Sequence, residues 1–273
     1  MYEEGLLMSK DFPVMLQDFT RGAFEDYLEQ ESNPVAIVTV GSVEQHGPHL
    51  PRGMDMFAAL EVAKRVAEET ASFVVHPCWA GYSPHHMAFK GTISFRAETL
   101  TNIILDTIDS LAAHGIDKVL LLNGHGGNGE IVNYASRLAK RRSNAVVIPS
   151  SAWFSGTSPK EALQYIDRHA GTKETELAQF LFGDLVEMER VTDFQPTSAF
   201  SEAVEALRDP DAGDLTIRTQ LVMAYIGDTH TFTSSGIYGF ADPNDADVNA
   251  AEKYFNETVA YFARLIRYWK QID

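Results

Sequence analysis

Four short apolar runs, each followed by a segment of helical periodicity, constrain this chain more than any other feature. VAIVTV (35–40), SFVVHPC (72–78), KVLLLN (118–123) and AVVIPS (145–150) are rich in β-branched residues and nearly free of polar alternation. That is the pattern of strands buried on both faces. Residues 55–70, 98–114, 129–142, 159–168 and 173–188 carry apolar groups at helical spacing, the second segment closed by Gly115, and 245–270 is amphipathic. Strand and helix alternating through short links predict a mostly parallel sheet covered by helices on both faces. No repeat, low-complexity tract or linker divides the chain, so one domain over 1–273 is expected. Residues 192–215, rich in Pro, Ser, Asp and Gly, read as a long excursion.

Composition narrows the partners. With 273 residues, 45% of them hydrophobic, there is enough apolar surface for a substantial core. A balance of 22 basic against 38 acidic residues gives a formal charge of −16, which repels nucleic-acid phosphates and anionic membranes. No apolar run approaches the ~18 residues of a membrane span. The first twenty residues lack a basic segment and a long apolar core, so no signal peptide is expected. Cys78 is the only cysteine, which excludes an internal disulfide and fits a reducing cytoplasm.

In open α/β sheets, ligands bind at the carboxyl ends of the strands. Two polar clusters sit there. GSVEQHGPHLPRGMD (41–55) follows the first run. Glu44 and His46 point to one side of an extended chain, and Asp55 begins a helix, where a carboxylate is favoured. Carboxylate with imidazole is a ligand set for Zn, Mn or Fe, and Pro48 and Pro51 stiffen the loop that carries it. A polar turn in which Asp55 merely caps the helix is the plainer alternative.

The second cluster, NGHGGNGE (123–130), matches G-x-G-x-x-G between a strand and a helix, which is the dinucleotide fingerprint of a nucleotide-dependent oxidoreductase. Against that, the next strand ends in Ser150 and Ser151 where a ribose-binding acid is expected. The histidine at the second position suggests a backbone that passes close while His125 points at something. A third cluster, RHAGTKETE (168–176), supplies His169, a candidate proton carrier, and two glutamates. Glu174 and Glu176 cannot share a helix face, so one of them points inward. G-x-S-x-G is absent and Cys78 has no activating neighbour, which leaves metal-activated water as the best nucleophile.

Together VGSVEQHGPHLPRGMD (40–55), HMAFKGTISF (86–95), LLNGHGGN (121–128), HAGTKETE (169–176) and SSGIYGFADPNDADVNAAEK (234–253) resemble the creatininase family of metal-dependent amidohydrolases. The resemblance implies a three-layer α/β/α fold and two divalent ions per chain. It implies Glu44, His46, Asp55 and His125 as metal ligands, with Asp55 bridging. Creatininase has a ligand glutamate where this chain has Gly127, and Glu174 is the residue that fills the vacancy. His169 matches the histidine near the scissile bond. Trp153 and Tyr165 fall at the positions of the substrate lid, and His86 and Gly126 are further substrate contacts, with His49 and His85 as candidates beside them. Lys90 stands where relatives usually have proline, and Ile166 and Arg168 replace acidic lid neighbours.

The expected reaction is hydrolysis of an amide or cyclic amide C–N bond of a small molecule by metal-activated hydroxide, in a homo-oligomer, a hexamer by resemblance. Creatinine itself is not favoured as the substrate. A non-catalytic metal-binding protein of the same fold is the further alternative.

Overall fold

The structure, a computed structural model, describes residues 12–153, 167–191, 194, 227–231, 233–239 and 241–272. Its main sheet has four parallel strands. β1 (Val35–Val40) lies between β2 (Phe73–Val75) and β3 (Lys118–Asn123), and β4 (Val146–Ser151) pairs with the far side of β3. The register pairs Ile37 with Leu120 and Val38 with Leu121.

Successive side chains of a strand alternate between faces. Val35, Ile37, Leu120 and Leu122 enter one core, beneath α2 (Met54–Thr70) and α6 (Val248–Trp269). Ala36, Val38, Val40, Val119 and Leu121 enter the other, beneath α1 (Arg21–Gln30), α3 (Ala97–Ala113) and α4 (Gly129–Ser143). Every residue of β1 and β3 is buried. This is the expected three-layer α/β/α arrangement, and it explains why those runs lack polar alternation.

Helix ends follow local chemistry. α3 stops as expected at Gly115, whose φ of +79° suits a residue without Cβ. The side chain of Asp247 accepts from Asn249 N at 2.9 Å and starts α6. At the other end of α6, the buried Lys118 ammonium donates to the Trp269 carbonyl at 3.1 Å, closing a free helix carbonyl. Among the described residues no helix is long and apolar enough to cross a membrane.

Several boundaries differ from expectation. The second strand is Phe73–Val75 rather than 72–78, because the chain leaves the sheet at His76, whose Nδ1 bonds Thr39 Oγ1 at 3.1 Å. The fourth strand is shifted by one residue to Val146–Ser151. The helix expected at 159–168 is contradicted at its end. Residues 167 and 168 belong to strand β5 (Asp167–His169), which pairs antiparallel with β6 (Tyr238–Gly239), and 159–166 lie outside the described residues. The helix expected at 173–188 is α5 (Thr172–Phe182), which Gly183 ends, with 3-10 turns at Gly183–Leu185 and Met188–Arg190 beyond it. Of the excursion at 192–215, only residue 194 is described.

Candidate metal centre

The parallel register brings the carboxyl ends of β1 and β3 side by side, so Glu44 and His46 on the loop after β1 meet His125 just beyond β3. The first turn of α2 brings Asp55 between them. Glycines permit this closeness. A Cβ on Gly41 would lie 2.7 Å from Met56 Cα, and one on Gly124 would overlap the Asp55 carbonyl oxygen. Gly124→Ala should therefore force the β3 loop away from α2, costing about 1–3 kcal/mol as overpacking does. Denaturant unfolding checks this; a midpoint equal to wild type would mean the loop yields freely.

From the other side, β5 delivers His169 and the first turn of α5 delivers Glu174. Its carboxylate accepts from Ala170 N at 2.5 Å, at a residue held at φ +55°. Glu176 turns away, its carboxylate accepting from Asp247 N at 3.3 Å.

The carboxylates and imidazoles interleave. Asp55 Oδ1 is 3.3 Å from His46 Nε2, and Asp55 Oδ2 is 3.0 Å from His125 Nδ1. Glu44 Oε2 is 3.3 Å from His125 Nε2, Glu44 Oε1 is 3.8 Å from His169 Nδ1, and Glu174 Oε2 is 3.8 Å from His46 Nε2. Three donor groups able to hold a cation result: Glu44 with Asp55 and His125, His46 with Asp55 and Glu174, and Glu44 with His46 and His169. All are buried except Glu174, which is partly so.

Backbone carbonyls set the tautomers. A carbonyl oxygen only accepts, so the ring nitrogen facing it carries the proton. His46 Nδ1 donates to Glu44 O (3.3 Å), His125 Nε2 to Tyr82 O (3.1 Å) and His169 Nε2 to Gln45 O (2.6 Å). The remaining nitrogens, His46 Nε2, His125 Nδ1 and His169 Nδ1, turn lone pairs toward carboxylate oxygens. Two lone pairs at 3 Å repel unless a cation or proton lies between them. His46 Nε2 and Asp55 Oδ2 are buried without hydrogen-bond partners, as donor atoms waiting for a cation are.

Protons respond to the same field. Burial opposes the imidazolium of His46, but Asp55, Glu174 and Glu44 outweigh it and hold its pKa up at about 10. Burial likewise opposes protonated His125, and Glu44 and Asp55 raise it to about 9. Burial works to raise Asp55, yet His46 and His125 hold it well below the usual carboxylate range. Glu44 is raised, by burial foremost. The centre attracts positive charge, and these residues fit a divalent metal with mixed carboxylate and imidazole ligands.

The remaining candidates divide. Trp153 is partly buried and its indole N–H donates to Gly124 O at 2.5 Å, beside the His125 turn. Gly126 is exposed with open space at its Cβ position. His86 is fully buried, its ring 4.4 Å from that of His169, so it lies deeper than a surface contact to substrate would. His85 stacks at 6.0 Å over His125. His49 Nε2 bonds Thr175 Oγ1 at 2.9 Å and steadies α5. Tyr165 and Ile166 lie outside the described residues.

At Gly127 a Cβ would meet the Tyr82 carbonyl at 2.6 Å and press on His125, so this turn has no room for a side chain there. The dinucleotide reading of the same turn is not favoured, because a pyrophosphate would face Glu44 and Asp55. Sequence reasoning missed the buried serines. Ser42 Oγ donates to Glu44 Oε2 at 2.8 Å and pairs with Ser83 Oγ at 2.7 Å, and Ser83 Oγ lies 3.2 Å from His125 Nε2.

A family model described as creatinine amidohydrolase matches residues 17–266. The chain belongs to this family. It is 30% identical over 203 residues, 71% of its length, to 3-dehydro-scyllo-inosose hydrolase of Thermotoga maritima, and the match spans 65% of that protein, just under two thirds. It is 31% identical to creatinine amidohydrolase of Pseudomonas putida over 66% of this chain and 78% of that one. The mycofactocin precursor peptide peptidase of Mycolicibacterium smegmatis shares 28% identity over 87% of this chain and 86% of its own. Among solved structures, a mutant creatininase of Zn–Zn type superposes with a TM-score of 0.76 at 26% identity, covering 94% of this chain and 98% of that chain. A manganese creatininase gives 0.75 at 26% identity, covering 94% and 98%. The creatininase-family chain thus carries a cluster of metal-capable side chains at the carboxyl ends of β1 and β3.

Proposed function

We propose that this chain is an amidohydrolase that cleaves an amide or cyclic amide C–N bond of a small molecule at a dinuclear metal centre. The observation that carries the reading is the overlap of donor groups: Asp55 takes part both with Glu44 and His125 and with His46 and Glu174. Glu44, Asp55 and His125 would hold one ion, and His46, Asp55 and Glu174 the other. Divalent ions there would polarise a carbonyl and lower the pKa of water.

The chain's own groups do the rest. His169, fixed by the Gln45 carbonyl and stacked 5.1 Å from the Tyr238 ring, presents the Nδ1 lone pair as a proton acceptor. A proton taken there can be returned to the leaving nitrogen. Trp153 and Gly126 line the approach. The related proteins' names span creatinine, a precursor peptide and an inosose. The same reading includes one catalytic domain, a homo-oligomer and a cytoplasmic setting.

Metal analysis tests it. Protein purified without chelator should carry about two equivalents of Zn, Mn or Fe, as dinuclear hydrolases do. Glu174→Gln should lose one of them, while Glu176→Gln, whose carboxylate faces Asp247, should keep both. The reverse result would mean that the other glutamate serves the centre. Turnover of a panel of cyclic amides, formamides and small peptides, lost with chelator and restored by metal, separates an enzyme from a non-catalytic metal protein.

A further inference from the structure

Gln45 touches two histidines of the centre and fixes them in opposite senses. Its own amide orientation is settled by backbone groups. Gly47 N donates to Oε1 at 3.0 Å, and Nε2 donates to the Gly236 carbonyl at 3.1 Å. Turning the amide over would set two donors against each other at Gly47 and two acceptors at Gly236. The second hydrogen on Nε2 therefore points at His86 Nδ1, 3.0 Å away, and that nitrogen must accept. The Thr229 hydroxyl, 2.9 Å from the same nitrogen, can donate as well. The proton of His86 is then on Nε2.

The Nε2–H is buried, has no hydrogen-bond partner, and lies 3.4 Å from Glu44 Oε1. A buried N–H without an acceptor is rare and costly. The Glu44 carboxylate already receives Ser42 on Oε2, which leaves Oε1 as the oxygen that faces His86. His86 also stands outside all three donor groups. His46 and His169 turn their carbonyl-bonded nitrogen away from the carboxylates and leave the other nitrogen to face them, whereas in His86 the nitrogen that faces Glu44 is the one that carries the hydrogen.

We infer that Gln45 fixes His86 as an Nε2–H donor, and that His86 is a positioning residue for Glu44 rather than a metal ligand. The positioning role rests on the metal reading of Glu44 above; the tautomer does not. Carboxylate ligands held by such a donor lose about 10–100-fold in metal affinity when the donor is removed. Glutamine can place an amide N–H near the position of imidazole Nε2, whereas asparagine reaches only as far as Nδ1 and phenylalanine keeps the ring without a donor.

Two measurements on the full chain test this. In long-range proton–nitrogen spectra of histidine-labelled protein, the signals lost in His86→Gln identify His86. They should show a protonated Nε2 and a bare Nδ1 in wild type; a proton on Nδ1 overturns the tautomer. Zinc affinity, measured by competition with a chromophoric chelator, should fall about 10–100-fold in His86→Phe and His86→Asn and be largely retained in His86→Gln. Equal affinities in all three variants, or equal losses in folded protein, overturn the positioning role. Absence of zinc binding by wild type would defeat the metal reading, and with it the positioning role, and leave the tautomer result standing.

Discussion

Asp55→Ala should empty the centre of both ions and reduce turnover to background. In the proposed two-ion arrangement every other ligand serves one ion, but Asp55 serves both, Oδ1 facing His46 and Oδ2 facing His125. Removing it leaves Glu44 with His125 on one side and His46 with Glu174 on the other. Two ligands are too few for a divalent ion that otherwise takes three or more protein groups. Metal content should fall from about two equivalents to near zero, against about one for Glu174→Gln. Retention of normal metal by Asp55→Ala would remove the bridging assignment.

The substitution also acts on the metal-free protein. Asp55 and its partners raise His46 to about 10 and His125 to about 9, which favours a proton between each ring and its carboxylate when no metal is there. Removing the carboxylate takes away one of the charges that raise both rings. Asp55→Asn, which keeps volume and the start of α2, serves as the companion variant. Both should remain folded, as shown by a cooperative thermal transition, while failing to bind metal.

The sheet was legible because burial on both faces leaves a mark on each strand. β1 and β3 lie where VAIVTV and KVLLLN predict, and α2, α3, α4 and α6 match their periodic segments to within three residues. What escaped was non-local. α1 has few apolar residues, and its burial depends on Phe24 and Tyr27 meeting Phe73 and Phe19 from elsewhere in the chain. β5 exists because Tyr238 and Gly239 pair with it from about seventy residues away. In the centre, residue types and spacing announced Glu44, His46, Asp55 and His125. The resemblance favoured Glu174 over Glu176, and the structure sets the Glu174 carboxylate near His46 and the Glu176 carboxylate at Asp247 N. Tautomers and the serine contacts depend on which carbonyl or hydroxyl lies across a gap, and no spacing in the sequence encodes that.

His169→Asn should keep both ions and the fold but lower kcat by about 10²–10⁴, the usual loss when a proton carrier is removed. Burial, reinforced by His46 and His86, holds the ring well below the ordinary imidazole pKa, so it is uncharged at neutral pH and its Nδ1 can only accept. That differs from an exposed imidazole titrating near neutrality, and assigns His169 the role of base before that of acid. Asparagine reaches only as far as Nδ1, so it offers no basic nitrogen and also gives up the Nε2 bond to the Gln45 carbonyl; His169→Gln, which can place an amide N–H near Nε2, is the companion variant that keeps this anchor of β5 to the first loop. Three outcomes are distinguishable. Loss of rate with metal intact supports the proton role. Loss of one ion would place His169 among the ligands, as its grouping with Glu44 and His46 allows. A near-wild-type kcat in His169→Gln would mean that the ring serves only to hold the loop, and that the proton travels by way of Glu174.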